Sequence, residues 1–486
     1  SHNLPCLNCT CLSIRLVYQT KLKNIIIMAE EGPPEPSIDF VPALCFVPRG
    51  VAKDRPDKIV LTQAELARII GDTQQELDEE SDDDAEEGEN AEEDQNDMDV
   101  DDHADANSEN RDPQDEFQFQ EYDNEANANV TSLANIVDAG EQIPDEDEDS
   151  EAEDEVIKPS DNLILVGHVQ DDAASMEVWV FNQEEEALYT HHDFLLPSFP
   201  LCIEWMNHDA GSEKAGNMCA IGCMDPIITV WDLDIQDAIE PTFKLGSKGS
   251  RKQNKEQYGH KDAVLDLSWN TNFEHILASG SVDQTVILWD MDEGQPHTTI
   301  TAFGKQIQSL EFHPQEAQSI LTGCADGYVR LFDCRDAEGV NSSSIEWKVD
   351  GEVEKVLWHP TQTDYFIVGT NDGTLHYADK RSPGQLLWSV KAHNEEISGV
   401  CFNNQKPNLL TSTSTEGTLK VWNFDGTEAK HVYEHEFNMG RLQCMRQCPE
   451  DPYTLAFGGE KPPRCAIFNI KNSIAVRRTF GIPDAE

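Results

Sequence analysis

Basic residues are scarce in this chain: 35 Lys and Arg stand against 93 Asp and Glu in 486 residues, a formal net charge of −58. Where that charge is concentrated the chain repels phosphates, which excludes direct DNA binding by its acidic part. No apolar run reaches the ~18–20 residues that a helix needs to cross a bilayer, so no membrane partner is expected. The glycine-rich phosphate cradles are missing, both Gly-x-x-x-x-Gly-Lys-Ser/Thr and Gly-x-Gly-x-x-Gly. So are the Gly-x-Ser-x-Gly nucleophile elbow and the His-Glu-x-x-His zinc helix. No catalytic residue, cofactor or metal ligand is therefore assigned, and the protein is read as not an enzyme. The 13 cysteines are scattered through apolar, strand-like positions such as Cys202, Cys219 and Cys401. That suits small buried hydrophobes in a reducing compartment.

What the sequence does contain is a repeat. Apolar–turn–apolar units end at Asn182, Asp232, Asp290, Asp333, Asp379, Asn423 and Asn469, at spacings of 50, 58, 43, 46, 44 and 46 residues. The unit LASGSVDQTVILWD (277–290) carries the pattern in full, ending in Trp-Asp. Seven units at roughly 40–45 residues match the four-strand blade of a WD-repeat propeller. The predicted fold is all-β: a seven-bladed WD-repeat β-propeller over 157–486. Its first inner strand comes from FVPALCFVPRG, at about 40–48. The final segment SIAVRRTF (473–480) is expected to be a strand that finishes the last blade.

Between that first inner strand and NLILVGHV (162–169) lies the acidic tract. From Asp72 to Glu155 there are 37 Asp and Glu against one Arg, Arg111. So few apolar residues cannot offset the entropy of ordering a backbone, so 72–156 is expected to be a disordered insertion in the first blade. Residues 28–71 form an N-terminal strand and a short helix. Thr62 and Glu65 stand at capping-box spacing, and Leu66, Ile69 and Ile70 form the face expected to dock on the propeller. Residues 1–27 read as a leader foreign to the native protein. Met28-Ala29-Glu30-Glu31 looks like a start, and Cys6, Cys9 and Cys11 lack the second ligand pair of a zinc knuckle.

In the third unit His260, Ser279, Asp283 and Trp289 suggest a polar network inside the blade. Asp283 would accept from the His260 ring, His260 would meet Ser279, and Ser279 would accept from the Trp289 indole N–H. His393, Ser412, Glu416 and Trp422 repeat the set with Glu for Asp. A hydrolase triad is the sharper reading, but the repetition and the consumed hydroxyl favour structure. His191, His192 and Asp193 could suggest a metal, but their outer-strand place and lack of a second cluster read as surface. Lys248, Arg251, Lys252 and Lys255 form a compact basic loop, a candidate nuclear import signal. Ser81 and Ser150, each followed by carboxylates, are candidate phosphosites. Asp333 with Arg335, and Asp379 with Arg381, are candidate contacts to a ubiquitin-ligase adaptor, against a plain inter-blade ion pair.

Several stretches resemble the periodic tryptophan protein 1 family: GVAKDRPDKIVLT (50–62), IKPSDNLILVG (157–167), VFNQEE (180–185), ITVWDLDI (228–235), FKLGSK (243–248), GHKDAVLDLSWN (259–270) and AHNEEISG (392–399). The resemblance runs from about residue 40 to 470. It implies a nuclear, largely nucleolar protein of ribosome biogenesis, linked to rRNA transcription by RNA polymerase I and to histone H4 in chromatin. The charge of the tract independently calls for basic protein partners: histones, ribosomal or pre-ribosomal proteins. RNA polymerase I machinery and rDNA chromatin would be reached indirectly. The reading is thus a non-enzymatic scaffold, with a cullin-RING substrate receptor as the alternative.

Overall fold

A computed structural model describes residues 38–59, 68, 156–185, 187–211, 214–249, 257–335 and 344–483. It is a seven-bladed β-propeller: six sheets of four antiparallel strands and one of three, arranged around a central axis. Blade 1 has Asp39–Val47 as its inner strand, followed by Asn162–Gln170, Ala173–Asn182 and Ala187–Leu195. Phe46 and Ile164 pair across the point where the acidic tract leaves and rejoins. The tract, the leader, Ser81, Ser150, Arg251, Lys252 and Lys255 lie outside the described residues, and of the predicted 62–70 helix only Arg68 is described, in helical conformation and paired with Glu240 at 3.0 Å.

The inner strands of blades 2 to 7 are Pro200–Met206, Val264–Trp269, Ile307–Phe312, Val353–Trp358, Ile397–Phe402 and Leu442–Gln447. A second strand is buried on both faces by neighbouring blades, so it reads as a continuous apolar run, MCAIGC or SILTGC, without alternation. The core is accordingly divided into seven clusters, one at each joint between blades.

One local device recurs in all seven blades. Each inner strand has a register shift in its pairing with the second strand, as between Val264 and Asp266 or Val353 and Lys355. A bulge sharpens twist, which helps a flat ribbon become a propeller blade. Opposite the residue after the shift stands a glycine in six blades, for example Gly323 across from Ser309. There the next blade comes so close that a Cβ on Gly323 would sit 2.5 Å from Val353 Cγ1. Blade 6 reverses the pair: Thr413 faces Gly399, and a Cβ there would meet Thr413 Oγ1 at 2.7 Å.

The predicted closing strand is corrected. Residues Ile474–Phe480 form a helix, α1, and blade 7 has three strands, Leu442–Gln447, Thr454–Gly459 and Cys465–Asn469. The local chemistry explains the difference. Ser473 accepts from the Val476 N–H at the N-cap, Gly481 takes the left-handed conformation at the other end, and Val476 and Phe480, four apart, are buried together.

Candidate interaction surfaces

The blade network is assembled in blade 3. His260 Nδ1 lies 3.0 Å from Asp283 Oδ2, and its Nε2 lies 2.7 Å from Ser279 Oγ. Trp289 Nε1 donates to Ser279 Oγ at 2.8 Å, and Trp289 is fully buried. Asp283 also accepts from the Lys261 and Thr285 backbone N–H groups, so it ties its own tight turn to the preceding loop. Burial alone would raise its pKa, but these bonds outweigh that and hold it at about 2. In blade 6, His393 lies 2.7 Å from Glu416 and 2.8 Å from Ser412, which accepts from Trp422 at 2.9 Å. Glu416 is likewise held at about 2 against the opposing effect of burial. Sequence reasoning missed the threonines: Thr285 and Thr418 donate to Asp283 and Glu416 at 2.6 and 2.7 Å. Both serine hydroxyls are enclosed and shared between an imidazole and an indole, which leaves neither available as a nucleophile.

A second set of linkers follows each inner strand from blade 3 to blade 6: Asn270, His313, His359 and Asn403. Each accepts from two backbone N–H groups of its own turn and reaches a carbonyl of the next blade. His313 meets Thr363 O at 2.8 Å, and Asn403 donates to Pro452 O at 2.7 Å. Because Nδ1 accepts in both histidines, Nε2 carries the proton, and burial lowers both pKa values. Inner-strand side chains also reach forward. Asp266 accepts from Leu310 N at 2.8 Å and Glu311 from Trp358 N at 2.5 Å. Burial raises Glu311 to about 8 and Glu204, in the equivalent place on blade 2, to about 7.

The joint between blades 7 and 1 is built differently. Arg464 pairs with Asp39, whose other oxygen is 2.9 Å from His168 Nε2. His168 Nδ1 lies 2.7 Å from Glu177, which accepts from Trp179 Nε1 at 2.7 Å. Arg49 N donates to Glu450 at 2.8 Å, joining residues 401 apart in sequence. The bond to Glu177 raises the His168 pKa, against the opposing effect of burial.

The remaining predicted residues are solvent-facing or locally paired. Lys248 pairs with Asp225 at 2.6 Å. Arg335 is 70% exposed and folds onto its own Asp333. Arg381 pairs with Asp379 and Asp364 and lies over the Tyr365 ring at 5.3 Å. His191 and His192 touch through their Nδ1 atoms at 2.8 Å on the outer strand of blade 1, and burial lowers His192 to about 3. Among the described residues no group of three or more His, Cys, Asp or Glu is placed to hold a metal ion.

Periodic units, a ring of radial sheets and a histidine–serine–tryptophan network at the Trp-Asp positions define a WD-repeat protein. The family of the WD domain, G-beta repeat, matches residues 251–290, 294–333 and 384–423. Within that class the chain is similar to Periodic tryptophan protein 1 over nearly its whole length. It is 29% identical to Periodic tryptophan protein 1 of Saccharomyces cerevisiae over 91% of this chain and 90% of that protein. A WD repeat-containing protein of Schizosaccharomyces pombe is 32% identical over 69% of this chain and 66% of its own length. The Ribosome biogenesis protein WDR12 homolog of Drosophila mojavensis is 28% identical over 42% of this chain and 47% of that protein.

Proposed function

We propose that this chain is a non-enzymatic scaffold of ribosome biogenesis that works in the nucleus, chiefly the nucleolus, and assembles basic proteins. The observation that carries the reading is the match to Periodic tryptophan protein 1, which takes in nine tenths of both chains. The WDR12 relatives, whose name is that of a ribosome biogenesis protein, support the same process.

The mechanism has two parts. The tract at 72–155, with 37 carboxylates, attracts a lysine- or arginine-rich partner over distance and raises the encounter rate. A propeller face then makes the specific contact, and tethering on one chain renders that second step effectively intramolecular. Pre-ribosomal proteins are the partners best suited; histone H4 and, through it, rDNA chromatin and RNA polymerase I are the finer expectation. Phosphate on Ser81 and Ser150 would add charge to the tract, and the basic loop around Lys248 would serve import.

Proximity labelling in cells tests this, with the full chain and with a chain lacking 72–155. The expected outcome is a set rich in pre-ribosomal proteins that shrinks when the tract is removed. A set without pre-ribosomal proteins overturns the reading.

A further inference from the structure

The loops that join blades 4 to 5, 5 to 6 and 6 to 7, with the second-to-third-strand turns of blades 5 to 7, open on one face of the ring. They enclose a concavity of about 1240 Å³. Seven carboxylates and two cations, Arg441 and Lys461, line it. Three of the carboxylates are occupied by the fold: Asp372 accepts from Thr370 and Thr374 in its turn, Glu416 holds His393, and Glu352 pairs with Lys305 at 2.8 Å. Glu395, Glu436 and Glu460 have no such role in an ion pair. Glu395 accepts from Thr415, Glu460 accepts from Gln443, and Glu436 is exposed.

The concavity also has a floor. It shares Glu396 and Thr415 with a second cavity of about 120 Å³ at the mouth of the central channel. That small cavity is lined by residues from all seven inner strands or the loops leading into them, Glu354 and Lys355 among them. Glu354 is 7% exposed and accepts from Gln308 at 3.1 Å. Burial and the nearby Glu396 push its carboxyl well above the usual range, so an added cation beside it would be favoured.

We propose that this concavity docks an extended lysine- or arginine-rich segment of a partner protein, with one basic side chain reaching into the channel mouth. The volume fits a chain of several residues rather than an ion, and the charge selects cations and repels nucleic acid. The inference rests on the scaffold reading above and names the face and the chemistry of its specific contact.

Zero-length carbodiimide coupling of a labelled twelve-residue Lys/Gly peptide to the full chain, mapped by mass spectrometry, tests it. The expected result is adducts on Glu395, Glu436 or Glu460, in preference to Glu274 and Glu293 in the turns of the opposite face. In the variant E395Q/E436Q/E460Q the adducts on Glu352 and Glu396 should fall at least about fivefold, while E274Q/E293Q leaves them unchanged. Adducts confined to 72–155 overturn this inference and leave the scaffold reading standing. Adducts spread evenly over both faces overturn it as well. No adduct anywhere overturns both.

Discussion

The joint between blades 6 and 7 and the joint between blades 7 and 1 do the same job with different materials. The first buries Leu409, Leu442, Met445, Tyr453, Leu455 and Phe457, and Asn403 bridges it from beneath. The second buries three cysteines, Cys444, Cys448 and Cys465, with Ala456 against Val41, Leu44 and Ile164. Smaller side chains remove less apolar area from water. At the position where Asn270, His313, His359 and Asn403 act as linkers, blade 7 has Cys448, whose thiol lies 3.7 Å from Asn162 Oδ1. Among the described residues blade 7 has no fourth strand, and no strand is shared across the closure. What compensates is charge: Arg464 reaches Asp39 across the joint, and within blade 1 His168 braces Asp39 and pairs with Glu177. The joint between blades 6 and 7 is held by shape and by the neutral hydrogen bond from Asn403. The closure is held by partly buried ions and should respond to pH and salt.

The comparison breaks first at the close contacts. Gly323→Val should destabilise the fold by about 3 kcal/mol, because Val353 and Val356 leave no space for the added atoms. Denaturant melts would show it, and an unchanged midpoint would mean that the blades separate easily. Asp283→Ala should cost about 1–3 kcal/mol by stranding the His260 ring and two turn N–H groups. This contribution is present at neutral pH. It is lost only as pH falls from the ordinary aspartate range through about 2.

The closure carries the opposite sign. The folded pKa of His168 is raised, so its contribution is complete below about 6.5 and disappears as pH rises through the folded value. Asp39→Asn should therefore cost about 1 kcal/mol near pH 6 and less near pH 9, read from melts at the two pH values. An equal loss at both would remove His168 from the closure. Arg335→Ala, on an exposed pair outside any joint, should leave the melting midpoint unchanged.

Much of this was legible in the sequence because it is periodic. Seven unit ends at near-constant spacing give the blade count, and His260, Ser279, Asp283 and Trp289 stand at offsets that a blade turns into contacts. The insertion point followed from one β-rich stretch, FVPALCFVPRG, stranded far from its blade. The closure was not legible. Asp39, His168, Glu177 and Arg464 belong to no repeat, and only the ring brings residues over 400 apart together. Helix α1 was legible and was misread. Ser473 and Gly481 bracket it as cap and stop, and Val476 and Phe480 have helical spacing, but the expectation of a fourth strand outweighed those local signals. The acidic concavity escaped because its carboxylates come one or two at a time from six separate loops and turns.

The most direct test of the account is the association rate of the labelled Lys/Gly peptide with the full chain and with a chain lacking 72–155, measured by stopped flow across salt concentrations. The account predicts that removing the 37 carboxylates slows capture by about tenfold or more at 50 mM salt, that the gap narrows near 500 mM, and that the melting transition of the blades is unchanged. Equal on-rates at low salt for the two proteins would contradict it.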